Sequence, residues 1–462
     1  MPERLVVIGG DAAGMAAASQ ARRRRGPDDL AIVAFERGHH TSYSACGIPY
    51  LVGGLVESED ELVARTPGVF RREFGIDARI RAEVTEIDLD RHEVRVRDLD
   101  GDREYAEPFD SLVIATGSVP MRPPVPGIDA AGVYGVQTLD DGIALRAGLD
   151  SGRVRRVVVV GGGYIGLEIA EAAATRRLQV TVVDMARTPV GTFDPDIGEF
   201  IAEAVRGLGI ELVLGEAVSE VTTAEGRAAA VRTATGREVP ADLVVLGLGV
   251  RPNVVLAQAA GVPIGSSGGI AVDQRMRTQV EGVWAAGDCV ESTHRLSGQR
   301  VVVALGTHAN KQGRVAGINI GGGYATFPGV IGTAVTKVCD LEVARTGLSE
   351  QEAREAGFDF VTAYVDSTTR AGYFPGARPI RVKMAAERRS GRLLGAQIVG
   401  REGAAKRIDV LAACIWNGMT VEEVLSLDLS YAPPFAPVWD PVLIAARKAW
   451  EAVEADIRRR PG

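Results

Sequence analysis

Two glycine fingerprints, each opening a helix behind a buried strand and each followed by a strand that ends in an acid, restrict this chain to folds that bind two dinucleotides. The first follows Leu5-Val6-Val7-Ile8 and runs through Gly9-Gly10-Asp11-Ala12-Ala13-Gly14 into an alanine-rich stretch. Such a strand, tight turn and helix deliver free backbone amides and a positive dipole end to a pyrophosphate. The strand Leu30 to Phe35 then leads to Glu36, 22 residues after Gly14, where a carboxylate accepts both hydroxyls of an adenosine ribose. Asp11 stands in place of the middle glycine. The second fingerprint, Gly161-Gly162-Gly163-Tyr164-Ile165-Gly166, follows Val157 to Val160 and keeps all three glycines. Its second strand, Gln179 to Val183, leads to Asp184, 18 residues after Gly166. An acid there favours a free ribose 2′-hydroxyl, so NADH is expected, with NADPH left open by the nearby Arg187. Two dinucleotides in one chain imply electron transfer from one to the other.

With 462 residues there is room for roughly three domains. The composition, 46% hydrophobic and 24% charged with 56 glycines, is that of a globular protein with many tight turns. A net charge of −8 argues against general binding to nucleic acid or to an anionic membrane. No apolar run approaches the ~20 residues that span a bilayer, and the N-terminus shows no signal-peptide core, so a cytoplasmic setting is expected. The four scattered cysteines, Cys46, Cys289, Cys339 and Cys414, form neither a metal-ligand nor a disulfide pattern, and no metal is expected.

Asp110 to Gly117 reads as a strand closing the first half of a domain, and the proline-rich stretch from Ser118 to Gly127 as a linker. Asp242 to Gly249 closes the second unit. Val283 to Ala286 then brings Gly287 and Asp288 to a strand end, an acid suited to a flavin ribityl hydroxyl. A helix from about Ala304 carries Lys311, Gln312 and Arg314, either as packing or to present polar groups to a flavin ring. After Gly321-Gly322-Gly323 the pattern changes to strands of an antiparallel sheet at Val335 to Val343, Phe360 to Val365, Ile380 to Met384 and Leu393 to Val399. Helices are expected near Ser349 to Ala356, Ala404 to Asn417 and Val421 to Leu425. The expected class is α/β, with two Rossmann-like domains, residues 1–117 with 250–325 for FAD and 118–249 for NAD(P)H, and a C-terminal α+β dimerisation domain, 326–462. The positions expected to hold the cofactors are Gly9, Ala13, Gly14, Glu36, Arg37, Thr116, Gly117, Gly161, Gly163, Tyr164, Ile165, Gly166, Glu168, Asp184, Gly249, Gly287, Asp288 and Ala304.

Cys46 lies in Ser42-Tyr43-Ser44-Ala45-Cys46-Gly47-Ile48-Pro49-Tyr50, shortly after the first fingerprint. Alone, a cysteine among small residues reads first as a small buried hydrophobe, and only the flanking motifs reverse that. A helix beginning just beyond the sulfur would stabilise a thiolate, the form that acts as nucleophile. Two-cysteine oxidoreductases carry a second thiol a few residues on; here that place is Leu51, so a catalytic Cys46 works with no neighbouring thiol.

These stretches, with Ala18 to Arg23, Ala371 to Gly376, Lys406 to Leu411 and Tyr431-Ala432-Pro433-Pro434, resemble the single-cysteine branch of the flavin disulfide reductases, the coenzyme A disulfide reductases in particular. The resemblance covers the whole chain. It implies FAD in the first domain, NAD(P)H in the second, and a homodimer whose third domain reaches the other subunit's cysteine. Catalytic tyrosines map onto Tyr373 and Tyr431, and coenzyme A contacts onto Gln20, Arg23 and Ser42, with Arg71 and Arg72 as cations near Phe74, where some members carry a lysine. Tyr164 would cover the flavin face and swing aside for nicotinamide. The implied reaction is NAD(P)H-driven reduction of a small disulfide, coenzyme A disulfide first, through a mixed disulfide at Cys46. The alternatives are a persulfide or polysulfide reductase, an NADH oxidase or a quinone reductase of the same fold, and a flavoprotein that senses NADH with little turnover.

Overall fold

The computed structural model of this chain describes residues 2–459. Strand Glu3–Ile8 pairs in parallel with Leu30–Phe35 on one side and Ser111–Ile114 on the other. Val283–Ala285 and Ile76–Arg79 complete the sheet, in the order 283–285, 111–114, 3–8, 30–35, 76–79. Leu5, Val6, Val7, Leu112 and Val113 are all fully buried, because both faces of a parallel sheet are covered and its strands need apolar side chains throughout. On one face, helix Ala12–Arg22 crosses helix Gly306–Ile320 at close range. A Cβ on Gly313 would stand 2.1 Å from the Ala13 carbonyl oxygen, and one on Gly317 2.2 Å from that of Ala17.

A second parallel sheet repeats the plan, in the order 211–214, 179–184, 156–160, 243–246, 133–135. Each of the two units also carries a three-stranded antiparallel meander just before its closing strand, Ala82–Asp88 with Glu93–Asp98 and Arg103–Pro108, and Val218–Ala224 with Arg227–Thr233 and Glu238–Pro240. The sequence reading contains neither meander, since both are half exposed and their apolar alternation is short. The proline-rich linker is partly strand: Ser118–Pro120 pairs antiparallel with Val250–Pro252, tying the outward and return crossings together.

The C-terminal unit is a five-stranded antiparallel sheet, ordered 334–338, 341–347, 393–400, 379–387, 360–368. The strand expected over Val335 to Val343 is in fact a hairpin. It reverses at Cys339-Asp340, with Val338 opposite Leu341 and Cys339 at a φ of +53°. No glycine or asparagine marks that turn, so the apolar run reads as continuous. The helix expected from Ala404 begins as a 3-10 turn, Ala405–Arg407, before Ile408–Trp416. Pro441–Arg459, the longest helix among the described residues, went unread; its buried face, Val442, Ala445, Ala446 and Ala449, packs in the core of this unit. The fold is thus two parallel-sheet dinucleotide units and a C-terminal antiparallel unit. Among the described residues no helix is long and apolar enough to cross a membrane, and no group of three or more His, Cys, Asp or Glu side chains is placed to hold a metal ion.

Candidate active site

Because strands 283–285, 111–114 and 3–8 are neighbours, the loops after them meet at one sheet edge. Gly9 leaves its strand at a φ of +110°, where a Cβ would stand 2.1 Å from the Ala115 carbonyl oxygen. A Cβ on Gly14 would stand 2.0 Å from the Gly9 carbonyl oxygen. The Glu36 carboxylate accepts the amides of Gly10 at 2.8 Å and Gly38 at 2.7 Å. Thr116 donates to the Asn253 carbonyl at 2.6 Å, and Gly117 follows at a φ of +65°. Gly287 has a φ of +92° and donates its amide to buried Gln312, whose own amide donates to Ser292. Asp288 accepts the Ser118 hydroxyl at 3.1 Å. Helix Gly306–Ile320 begins beside exposed Ala304 with no side chain capping its first amides. A cradle stripped of Cβ atoms where backbone must approach, an acid at the second strand end and an uncapped helix start fit a flavin dinucleotide. Arg37, just beyond Glu36, is exposed and lies 3.9 Å from Glu83, and Lys311 and Arg314 are exposed, leaving Gln312 as the packing residue of that helix.

The second site repeats the design. Gly161 has a φ of +103°, and a Cβ on Gly166 would stand 2.0 Å from its carbonyl oxygen. Gly163 caps helix Tyr164–Thr175 with nothing within 4 Å of where its Cβ would be. Asp184 accepts the amides of Gly162 and Ala186, as Glu36 does in the first unit. The Tyr164 hydroxyl lies 3.1 Å from that of Thr192, and Ile165 beside it is exposed. Glu168, one turn on, accepts a hydrogen bond from Thr336 of the C-terminal unit at 2.7 Å. Gly249 sits at the return crossing, accepting the Met121 amide at 2.9 Å.

Cys46 is exposed in a 3-10 turn, Ala45–Gly47, that runs into the six-residue helix Ile48–Gly53. Its loop is tied to the first glycine turn: Ser42 donates its amide to the Gly10 carbonyl at 2.9 Å and Tyr43 donates to Asp11 Oδ1 at 3.1 Å. The thiol is pushed up from its ordinary range, first by the crowding of its surroundings and then by the carboxylates of Glu168, Asp288 and Asp11. This reverses the expected stabilisation of a thiolate. The helix beyond the sulfur has only six residues, and partial burial of the thiol first, with the three carboxylates after it, works against the thiolate. The charges that act on the thiol come from both sites: Asp11 and Asp288 belong to the first cradle and Glu168 to the second. Asp11, unremarked as a titrating group in the sequence, is pushed up to about 7, chiefly by burial and also by the charges of Glu36 and Asp288. All four cysteines are free; Cys289 is buried, its Sγ 3.4 Å from the Ala286 carbonyl, and is a packing residue.

Gln20 is half-buried near the end of helix Ala12–Arg22, and Arg23 is exposed just beyond it. Ser42 has a φ of +49°, and its carbonyl accepts the Ala64 amide at 2.8 Å. Arg71 is engaged by Asp77 at 3.1 Å, whereas Arg65, overlooked in the sequence, lies over the Phe74 ring at 5.5 Å. Tyr373 and Tyr431 come together on the C-terminal unit, where the Tyr373 hydroxyl holds the Tyr431 phenol above its ordinary range. Ala371 and Pro433 join the two loops by a backbone hydrogen bond of 3.1 Å. Around the pair, Phe435, Val438 and Trp439 are also exposed, forming an apolar face of the kind that marks a protein interface.

Residues 3–313 match the family model described as pyridine nucleotide-disulphide oxidoreductase, and residues 333–441 match its dimerisation domain. A curated relative, the NAD(P)H coenzyme A polysulfide/persulfide reductase of Pyrococcus horikoshii, is 42% identical over 97% of this chain and 98% of that protein. Coenzyme A disulfide reductase of Staphylococcus epidermidis is 27% identical over 96% of this chain and 99% of that protein. Among solved structures, a NAD-dependent persulfide reductase from A. fulgidus superposes with a TM-score of 0.94 at 40% identity, over 98% of this chain and 84% of that one.

Proposed function

This chain belongs to the pyridine nucleotide-disulphide oxidoreductase family and is an NAD(P)H-dependent flavin oxidoreductase; from that premise we propose that it reduces the persulfide or polysulfide form of a small thiol, coenzyme A first, at Cys46. The observation that carries the reading is the position of Cys46, in a loop hydrogen-bonded to the first glycine turn through Ser42–Gly10 and Tyr43–Asp11 and running into a helix whose Gly53 backs onto Ala172 of the second site's helix. The expectation that coenzyme A disulfide is the first substrate gives way, because the relatives named for persulfide and polysulfide stand at 42% and 40% identity and the disulfide reductase at 27%.

Flavin held by the first cradle would supply the two-electron link between nicotinamide and thiol. The chain's own part begins with Asp184, whose carboxylate suits the unphosphorylated ribose of NADH, and with Tyr164, which covers the space between the two sites. At the thiol, Cys46 as thiolate attacks the coenzyme A sulfur of the persulfide. A Cys46–coenzyme A disulfide forms, the sulfur–sulfur bond of the persulfide breaks, and hydrosulfide leaves with the bonding pair. Two electrons and one proton then return Cys46 to thiolate and release the coenzyme A thiol. Arg23, exposed beyond the first helix, and Arg65, over the Phe74 ring, would pair with the anionic phosphates of such a substrate, and Gln20 and Ser42 would bond its polar atoms. In a homodimer built on the exposed apolar face, Tyr373 and Tyr431 would serve the partner subunit's Cys46, holding a proton for the departing thiolate.

The test is NADH oxidation with coenzyme A persulfide, coenzyme A disulfide, glutathione disulfide, inorganic polysulfide with and without coenzyme A, dioxygen and menadione. Turnover should be highest with the persulfide or with polysulfide plus coenzyme A, and Cys46→Ser should abolish it. Dominant quinone or oxygen reduction that survives Cys46→Ser would overturn the reading.

A further inference from the structure

The loop between Asp184 and helix Pro195–Gly207 holds Tyr164, and the groups that hold this loop come from the C-terminal unit. Val190 sits at a φ of +51°, which a β-branched residue adopts only where its surroundings impose it. Its amide donates to the Gly162 carbonyl at 2.8 Å, and its carbonyl accepts the Phe193 amide at 2.9 Å. Thr192, between them, faces two ways. Its hydroxyl lies 3.1 Å from that of Tyr164, and its carbonyl accepts a hydrogen bond from Arg345.

Arg345 is 6% exposed and spends its remaining donors on the Gly347 carbonyl at 2.9 Å and on the Glu352 carboxylate. Two residues beyond Thr192, Asp194 is buried against the same unit. Its carboxylate accepts the Glu350 amide at 2.8 Å and the Gln397 side chain at 2.7 Å, and lies 3.0 Å from the Lys383 ammonium. Its own amide donates back to Gln397 at 3.0 Å. Lys383 also lies 2.8 Å from both Asp196 and Glu350. A buried ammonium among three carboxylates, with its hydrogen bonds filled, is a rigid link whose breakage leaves charges unpaired.

We propose that the C-terminal unit, through Arg345 and the Lys383–Asp194 socket, fixes Thr192 as a latch on Tyr164 and so sets the fraction of time for which the nicotinamide site is open. This rests on the reading of Tyr164 as the cover between the two dinucleotide sites. Apparent affinity for a ligand equals its intrinsic affinity scaled by the competent fraction, so a latch that favours the closed form weakens NADH binding without touching the bound complex. Arg345 and Thr192 are positioning residues; they act only through Tyr164.

The experiment is stopped-flow reduction of the flavin-loaded dimer over a range of NADH concentrations, with hydrogen exchange measured on the same protein without NADH. Thr192→Val keeps the side chain's shape and removes the hydroxyl. It should lower the half-saturating NADH about threefold to fivefold, the size of one hydrogen bond at the solvent edge, with the limiting rate within about twofold. Tyr164→Phe should lower half-saturation to the same extent, and the double variant no further, because both remove one shared bond. Arg345→Lys should lower half-saturation similarly and speed amide exchange over residues 189–194; Lys383→Met supplies that measurement if Arg345→Lys fails to fold. Unchanged half-saturation in Thr192→Val and Arg345→Lys, while Tyr164→Ala shifts it, would overturn the latch and leave the cover standing. No shift in Tyr164→Ala would remove the cover and the latch together.

Discussion

Thr336 Oγ1 donates a hydrogen bond of 2.7 Å to Glu168 Oε1, so that the C-terminal sheet reaches the helix of the second dinucleotide site one turn from its start. Glu168 is pushed up from the ordinary carboxylate range by burial, and the Thr336 hydroxyl works in the opposite direction. Thr336→Val leaves the carboxylate without that donor, at a cost of roughly 1–3 kcal/mol. A raised acid is disfavoured in the folded state only where it must ionise, so the loss should grow as pH rises from 5 to 8. Thermal unfolding of both proteins at those two pH values checks this.

Asp11, with its carboxyl pushed up to about 7, makes the same sign argument on a larger scale. Well below its ordinary value of 3.8 the group is neutral in both folded and unfolded chains and costs nothing. As pH rises toward 7 the unfolded chain ionises first, and by linkage the folded state loses up to roughly 4 kcal/mol. Asp11→Asn keeps the acceptor for the Tyr43 amide and removes the titration. The variant should therefore be the more stable at pH 8, with the difference shrinking steadily toward pH 4, in denaturant unfolding followed across that range.

Asp184 accepts the Gly162 and Ala186 amides at the end of the second unit's second strand, and in the proposed nicotinamide site its charge would repel a 2′-phosphate. NADH should reduce the protein with at least tenfold higher kcat/KM than NADPH, and Asp184→Ser should narrow that ratio severalfold by raising KM for NADH. A preference for NADPH in the unmodified protein would contradict the assignment.

Tyr373 and Tyr431 meet on an exposed face in a different unit from Cys46. Heterodimers of a Cys46→Ser chain and a Tyr373→Phe/Tyr431→Phe chain should regain up to about a quarter to a half of wild-type turnover, since one intact site is rebuilt across the interface. Activity after verified subunit exchange is the measurement, and no recovery would place the tyrosines in cis or outside the reaction.

What the sequence by itself determined is local. A fingerprint glycine is needed because a Cβ at Gly14 or Gly166 would strike the carbonyl of Gly9 or Gly161 within the same strand, turn and helix. An acid at Glu36 or Asp184 ends the next strand of that unit, so both are legible within some thirty residues. The change from parallel to antiparallel patterning after Gly323, and the lone cysteine beside Gly47, are local in the same sense. Tertiary structure alone decided the rest. The thiol's rise depends first on partial burial and then on Glu168, Asp288 and Asp11, which only the convergence of strand ends and a helix from another unit brings near Cys46. The hairpin at Cys339 forms because the sheet register demands a turn that its residues do not announce. The Thr336–Glu168, Thr192–Tyr164 and Tyr373–Tyr431 contacts join groups whose types are ordinary in any chain, and each exists only because the packed units bring residues distant in sequence to one place and fix their separation.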